Sequence, residues 1–155
     1  MSFSGYTDKS SQKQHLFTDL LKECRLSNPG SRLSPYLCKK IEEFDKDDRK
    51  DVVTKMSHGK APLFLACKNG SAEVVEYLLG KCNASIEQKG LLDVFDEGVS
   101  HSHSVTPLWC AAVSGRLAVV RILLSYGADV NAVSDSGSTS VRSACYMVRT
   151  GLNTR

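Results

Sequence analysis

The sequence predicts an all-α solenoid built from stacked helix-turn-helix units, and three observations predict it. Two stretches, residues 61–79 (APLFLACKNGSAEVVEYLL) and 106–124 (TPLWCAAVSGRLAVVRILL), align without gaps, with Pro, Leu, Ala, Gly, Val-Val and Leu-Leu at matching positions. A third start, Thr139-Ser140, falls 33 residues after Thr106-Pro107. Between the two clear copies lies extra chain, so that they are offset by 45 residues rather than 33. A unit repeated in this way cannot bury its apolar face alone and must stack on its neighbours.

Each repeated position has a physical role. Thr106 is placed to cap a helix N-terminus with its hydroxyl, and Pro107 suits the first helical turn, where a missing N–H costs nothing. Ala61 takes the cap position in the first copy and offers no side-chain acceptor, so that helix is expected to start less firmly. Leu63 and Leu108 face inward, and Ala66, Ala111 and Ala112 keep the first helix narrow enough for close stacking. Gly70 and Gly115 end it, because glycine adopts the left-handed conformation freely. Val74, Val75, Leu78 and Leu79, with Val119, Val120, Leu123 and Leu124, give each second helix its apolar stripe.

This pattern resembles the ankyrin family, whose period is about 33 residues. The expected organisation is a set of degenerate capping helices over residues 1–59 and ankyrin repeats over 60–155. The latter divide into a unit at 60–88, an insertion at 89–104, a unit at 105–137 and a truncated unit at 138–155. In the third unit Ser140 stands where Pro is expected and Val148 where Gly is expected. The insertion falls at a junction where such folds project their binding loops, and its Leu91, Leu92 and Phe95 favour ordered packing. Toward the N-terminus, Leu16, Phe17, Leu20, Leu21 and Cys24 share one helical face. Ser34-Pro35 reads as a cap and first turn, with Leu37, Ile41 and Phe44 continuing inward. Residues 45–51 (DKDDRKD) read as a solvated face or loop.

Composition narrows the function. The 20 basic and 17 acidic residues nearly cancel, which gives no reason to expect a nucleic-acid or membrane partner. Neither an apolar run of membrane-spanning length nor a secretory leader is present, so the expected location is the cytoplasm or nucleus. The six cysteines are scattered without a C-x-x-C pair and read as buried thiols, not ligands. His101 and His103 form an H-x-H in a polar loop without accompanying cysteines. No nucleophile motif, phosphate loop or cofactor signature stands out, so the chain is expected to bind protein and not to be an enzyme, with no metal and no cofactor.

PLFLACKNG, EVVEYLL, CNASIE, VFD, TPLWCAA and STSVRSAC together resemble the start of the Fem (feminization) proteins, ankyrin-repeat substrate receptors of cullin-RING ubiquitin ligases. The resemblance implies a receptor that reads the C-terminal peptide of a substrate, a C-degron, including Arg-ending ones. Phe95 and Asp96 match the family's Phe-Asp, whose Asp can pair with a basic degron residue, and Trp109 matches the Trp of PLW in the same groove. Ala144-Cys145 is followed by Tyr146-Met147-Val148-Arg149, so a second acidic contact of the family is missing. The cullin-binding box is also missing, and ligase recruitment is expected only of a longer form. The alternatives are a generic ankyrin scaffold for a folded partner and a truncated, non-functional fragment.

Overall fold

The computed structural model describes residues 8–96 and 98–150, the side chains of Asp96, Met147 and Thr150 excepted. In chain order the elements are α1 (Lys9–Leu26), α2 (Pro35–Glu42), α3 (Lys46–Thr54), α4 (Pro62–Asn69) and α5 (Ala72–Gly80), then β1 (Gly90–Asp96) and β2 (Val99–Val105), then α6 (Pro107–Val113), α7 (Leu117–Ser125) and α8 (Ser140–Thr150). The two repeated stretches are the antiparallel pairs α4–α5 and α6–α7. They stack with α4 on α6 and α5 on α7, and α1 covers the free side of α4. The expected ankyrin solenoid is therefore present.

The repeat signals act as read. Thr106 caps α6 by accepting the Trp109 N–H at 3.2 Å, whereas Ala61 gives α4 no side-chain cap. Gly70 is left-handed at φ 81°, and Ser71 N–H returns to the Ala66 carbonyl at 3.0 Å to close the helix. The second copy repeats the closure one unit on, with Arg116 N–H reaching the Ala111 carbonyl at 2.9 Å. Side chains then join consecutive units. The Asn69 amide donates to the Cys24 carbonyl at 3.0 Å, and Arg116 Nε donates to the Lys68 carbonyl at 3.0 Å.

One continuous apolar core runs from Leu16 on α1 through Leu37, Ile41, Val52, Leu63 and Leu78 to Leu123 and Ala128. The five residues read as the inner face of the first helix are its buried residues. Ser34 caps α2 through the Leu37 N–H at 3.3 Å. Of the two alternatives for the charged run at 45–51, a solvated face or a loop, the structure gives a helix. Asp45 accepts the Asp48 N–H at 2.9 Å, Asp47 and Asp48 lie in the first turn, and Val52 and Val53 anchor the far end in the core. Asp48 then faces the Lys9 and Lys13 ammonium groups of α1.

The insertion is where strand enters a helical fold. β1 and β2 form a regular antiparallel hairpin with seven consecutive pairs, Gly90↔Val105 to Asp96↔Val99, turning at Gly98 with φ 81°. His101 and His103, read as loop residues, are strand residues opposite Val94 and Leu92. The hairpin is seated by a second, smaller core of Phe64, Leu92, Val105, Trp109, Cys110 and Val113, with Val94 packed against it. Gly90 permits this approach, since a Cβ there would stand 2.7 Å from the Phe64 ring. Among the described residues no helix is long and apolar enough to cross a membrane.

The third unit starts on schedule. Thr139 Oγ1 accepts the Arg142 N–H at 3.4 Å, and α8 packs on α6. Ser140, at the usual Pro position, is buried and its hydroxyl has no hydrogen-bond partner. An unpaired buried hydroxyl costs about 1–3 kcal/mol, and Pro is favourable in a first helical turn. Ser140→Pro is therefore expected to raise stability by about 1 kcal/mol in chemical denaturation. An unchanged or lowered midpoint would show that the hydroxyl is satisfied in solution.

Candidate functional site

A cleft of about 340 Å³ opens between the hairpin, α6 and the third unit, lined on the hairpin by Val94, His101 and His103 and elsewhere by Trp109, Val113, Ser136, Ser138, Arg142, Ser143 and Tyr146. It follows from the strand pleat. Leu92 and Val94 point to one face of β1, and that face meets α6. The floor is apolar, and Trp109 is its centre. The indole is 6% exposed, packs in the smaller core, and donates from Nε1 to the Ser138 carbonyl at 3.2 Å. That bond fixes the indole and draws the loop before α8 against α6.

The rim is polar. His103 Nδ1 lies 3.1 Å from Asp135 Oδ1, while Asp135 Oδ2 accepts the Ser104 N–H at 3.0 Å. The Asp135 N–H donates to the Ser104 carbonyl at 3.1 Å, so the hairpin and the third unit are clasped through one residue. Ser134 Oγ is 2.8 Å from Ser136 Oγ, which tightens the same turn. Arg142 lines the cleft from α8, and no carboxylate pairs with its guanidinium among the described residues. The cleft thus combines an aromatic floor with a cation at its wall.

Of the residues read from the sequence, Trp109 lies in this cleft. Phe95 projects from the opposite face of β1, adjacent to Val94 in the pleat, and is 72% exposed. Asp96 ends β1 opposite Val99, and its side chain lies outside the described atoms. No sequence motif marks Arg142, Ser138 or Tyr146 as a site residue, although Ser138 and Arg142 stand within the STSVRSAC string.

Other chemistry is weakly supported. Cys24, Cys67, Cys82 and Cys110 are buried, Cys38 is half-buried and Cys145 is exposed. Burial pushes the Cys24, Cys82 and Cys110 thiols up to about 12, so at neutral pH they are not thiolates. Among the described residues no cluster of three His, Cys, Asp or Glu could hold a metal ion.

The ankyrin-repeat family, described as ankyrin repeats in three copies, matches residues 36–134, well over half of the chain. The chain belongs to that family. The match takes in α2 and α3, which lie within the segment read as capping helices. Among individual relatives the chain is 39% identical over 88 residues to protein fem-1 homolog CG6966 of Drosophila melanogaster, covering 57% of this chain and 13% of that protein. It is 37% identical over 95 residues to protein fem-1 homolog C of Xenopus laevis, covering 61% of this chain and 15% of that protein. It is 34% identical over 85 residues to the sex-determining protein fem-1 of Caenorhabditis elegans, covering 54% of this chain and 12% of that protein. The likeness to the Fem proteins thus stands, over about one-seventh of their length.

The clasp carries a pH dependence. The Ser104 N–H holds the Asp135 carboxyl below its ordinary value of 3.8, His103 helps, and partial desolvation opposes. A carboxyl lowered by folding stabilises the fold above its ordinary value and loses that contribution as pH falls through the folded value. Asp135→Asn is therefore expected to be less stable than wild type at neutral pH, with the gap closing below pH 3.8. Thermal melts of both proteins from neutral pH down to about pH 3 check this. A gap independent of pH would mean that the charge of Asp135 does not matter.

Proposed function

We propose that this protein-binding ankyrin module takes the C-terminal peptide of a partner protein into the cleft beside the hairpin, as the recognition part of a ubiquitin-ligase substrate receptor. The observation that carries the reading is the pairing of an aromatic floor, Trp109, with Arg142 and Tyr146 of α8 on the wall. A terminal carboxylate is the one anion that every protein tail offers, and a guanidinium binds it by two parallel charge-assisted hydrogen bonds. The apolar floor excludes water and strengthens that pairing, and it gives the preceding side chains a flat surface. Asp96 at the hairpin end serves a basic side chain of the peptide, the role that the Fem likeness suggests for it. Phe95, exposed on the other face, offers the body of the partner a contact outside the cleft.

Ubiquitin ligation, and work in the cytoplasm or nucleus, belong to this reading through the Fem likeness; the chain spans 13% of the Drosophila melanogaster relative and 15% of the Xenopus laevis one.

Peptide binding followed by fluorescence anisotropy tests the reading. Peptides ending in Arg with a free carboxylate are expected to bind, and amidation of the terminus or Arg142→Ala to weaken binding by about tenfold or more, the scale of a lost charge-assisted bond. Asp96→Ala is expected to weaken Arg-ending peptides while sparing those with an apolar last residue. Equal affinity for amidated and free peptides would overturn the reading and favour a scaffold that grips a folded surface.

A further inference from the structure

The backbone register of the hairpin shows which of its groups are free. Leu91 N–H bonds outward to the Gly59 carbonyl at 2.8 Å, and Ser104 bonds outward to Asp135 through both its N–H and its carbonyl. Leu91 and Ser104 are register partners, so this pair turns its hydrogen-bonding groups away from the shared ladder. In an antiparallel ladder such pairs alternate with inward-bonding ones. The same outward orientation therefore holds at Asp93↔Ser102 and Phe95↔Ser100. Each edge is closed at its base, β1 by Gly59 and β2 by Asp135, and open beyond.

The two open stretches differ in what lies beside them. Along β2, Ser100 and Ser102 alternate with His101 and His103, which line the cleft, and Asp135, Ser136 and Ser138 flank the same edge. β2 carries none of the usual guards against added strands, since it has no bulge in its seven pairs, no proline and no lysine. Its Ser100 and Ser102 side chains are too small to block approach, and Ser102 is turned across the sheet, donating to Asp93 Oδ1 at 2.6 Å. Asp135 already occupies the base of this edge, its N–H donating to the Ser104 carbonyl and its carboxylate accepting the Ser104 N–H in place of a main-chain carbonyl.

We infer that a bound peptide pairs its main chain with the open edge of β2, forming a third strand at Ser100 and Ser102. The inference rests on the peptide-binding reading of the cleft and supplies the main-chain part of recognition. Main-chain pairing gives affinity for many sequences, while alternate side chains of the peptide turn toward the sheet face that borders the cleft. Two outward-facing residues offer two N–H and two carbonyl groups, enough for about three peptide residues. That length suits a short tail and is too little for an edge-to-edge pair of copies of this chain, whose further extension Asp135 blocks.

Residue-resolved amide hydrogen exchange by NMR, with and without a saturating hexapeptide ending in Arg, tests the inference on the full chain. The Ser100 and Ser102 amides are expected to slow by about tenfold or more on peptide addition, with Asp93 and Phe95 unchanged. Ser100→Pro removes one outward donor without removing a bond to β1, and is expected to weaken the peptide about threefold to tenfold while the free protein keeps its circular dichroism. Binding at full strength with no protection at either serine would overturn the added strand and leave the cleft reading standing. Absence of any peptide binding would overturn both. Protection that grows with protein concentration and without peptide would assign the edge to a second copy and overturn the inference.

Discussion

Trp109 ties together three parts of the chain that lie apart in sequence. Its backbone N–H is taken by Thr106 at the start of α6, its ring packs against Leu92 and Val105 of the hairpin, and its Nε1 donates to Ser138 ahead of α8. A large aromatic buries considerable apolar area, and its single polar atom must find a partner when the ring is buried. The Ser138 carbonyl meets that demand, which orients the loop of the third unit. One side chain thus touches the hairpin, the second repeat and the third unit, and the Asp135 clasp adds a second link between the hairpin and that unit. The cleft is the space they leave between them.

A two-stranded hairpin is marginal by itself in water, and this one is stable as part of a second core. Leu92 and Val105 are completely buried against Phe64 of α4 and Cys110 and Val113 of α6. The insertion therefore spans two repeats, resting on the first helix of each. A glycine at position 90 lets β1 begin against the Phe64 ring, where any side chain would collide. The solenoid needs one repeat to stack on the next, and the hairpin adds a second contact between the same two helices on their inner side.

The repeat units were legible because their signals are local and doubled. Thr-Pro, Gly and the Val-Val and Leu-Leu pairs each act within a few residues, and two copies at matched positions remove coincidence. The hairpin was harder to read. VSHSHSV has β-branched residues only at its ends, because the face carrying His101 and His103 borders the open cleft and the face carrying Ser100 and Ser102 is exposed. Its strand character comes from pairing with β1, and GLLDVFD sets two leucines side by side, which blurs its alternation. The charged run of α3 left face and loop undecided for a different reason. Its cap, Asp45, and its core anchors, Val52 and Val53, stand at the ends of a run whose middle is wholly polar. Trp109 was found through a motif, whereas Arg142 and Tyr146 join the cleft only because α8 docks on α6, a tertiary fact that spacing alone does not carry.

The position of the cleft also links binding to the order of the third unit. α8 is held by the Thr139 cap, by the Val133↔Thr139 bridge, and by the Ser138 bond to Trp109, and it supplies Arg142, Ser143 and Tyr146 to the wall. Val141 and Val148 are exposed, and Leu124 of α7 is 43% exposed where its counterpart Leu79 in α5 is 7% exposed. The leucine position is buried in α5, against which α7 packs. α8 therefore gains less from packing than α4 or α6, and its unpartnered Ser140 hydroxyl lowers that gain further. A ligand that bridges α8 and the hairpin binds only the docked arrangement. It stabilises that arrangement in proportion to the logarithm of its concentration over its dissociation constant. For such a ligand, binding and the docking of α8 on α6 would be one equilibrium.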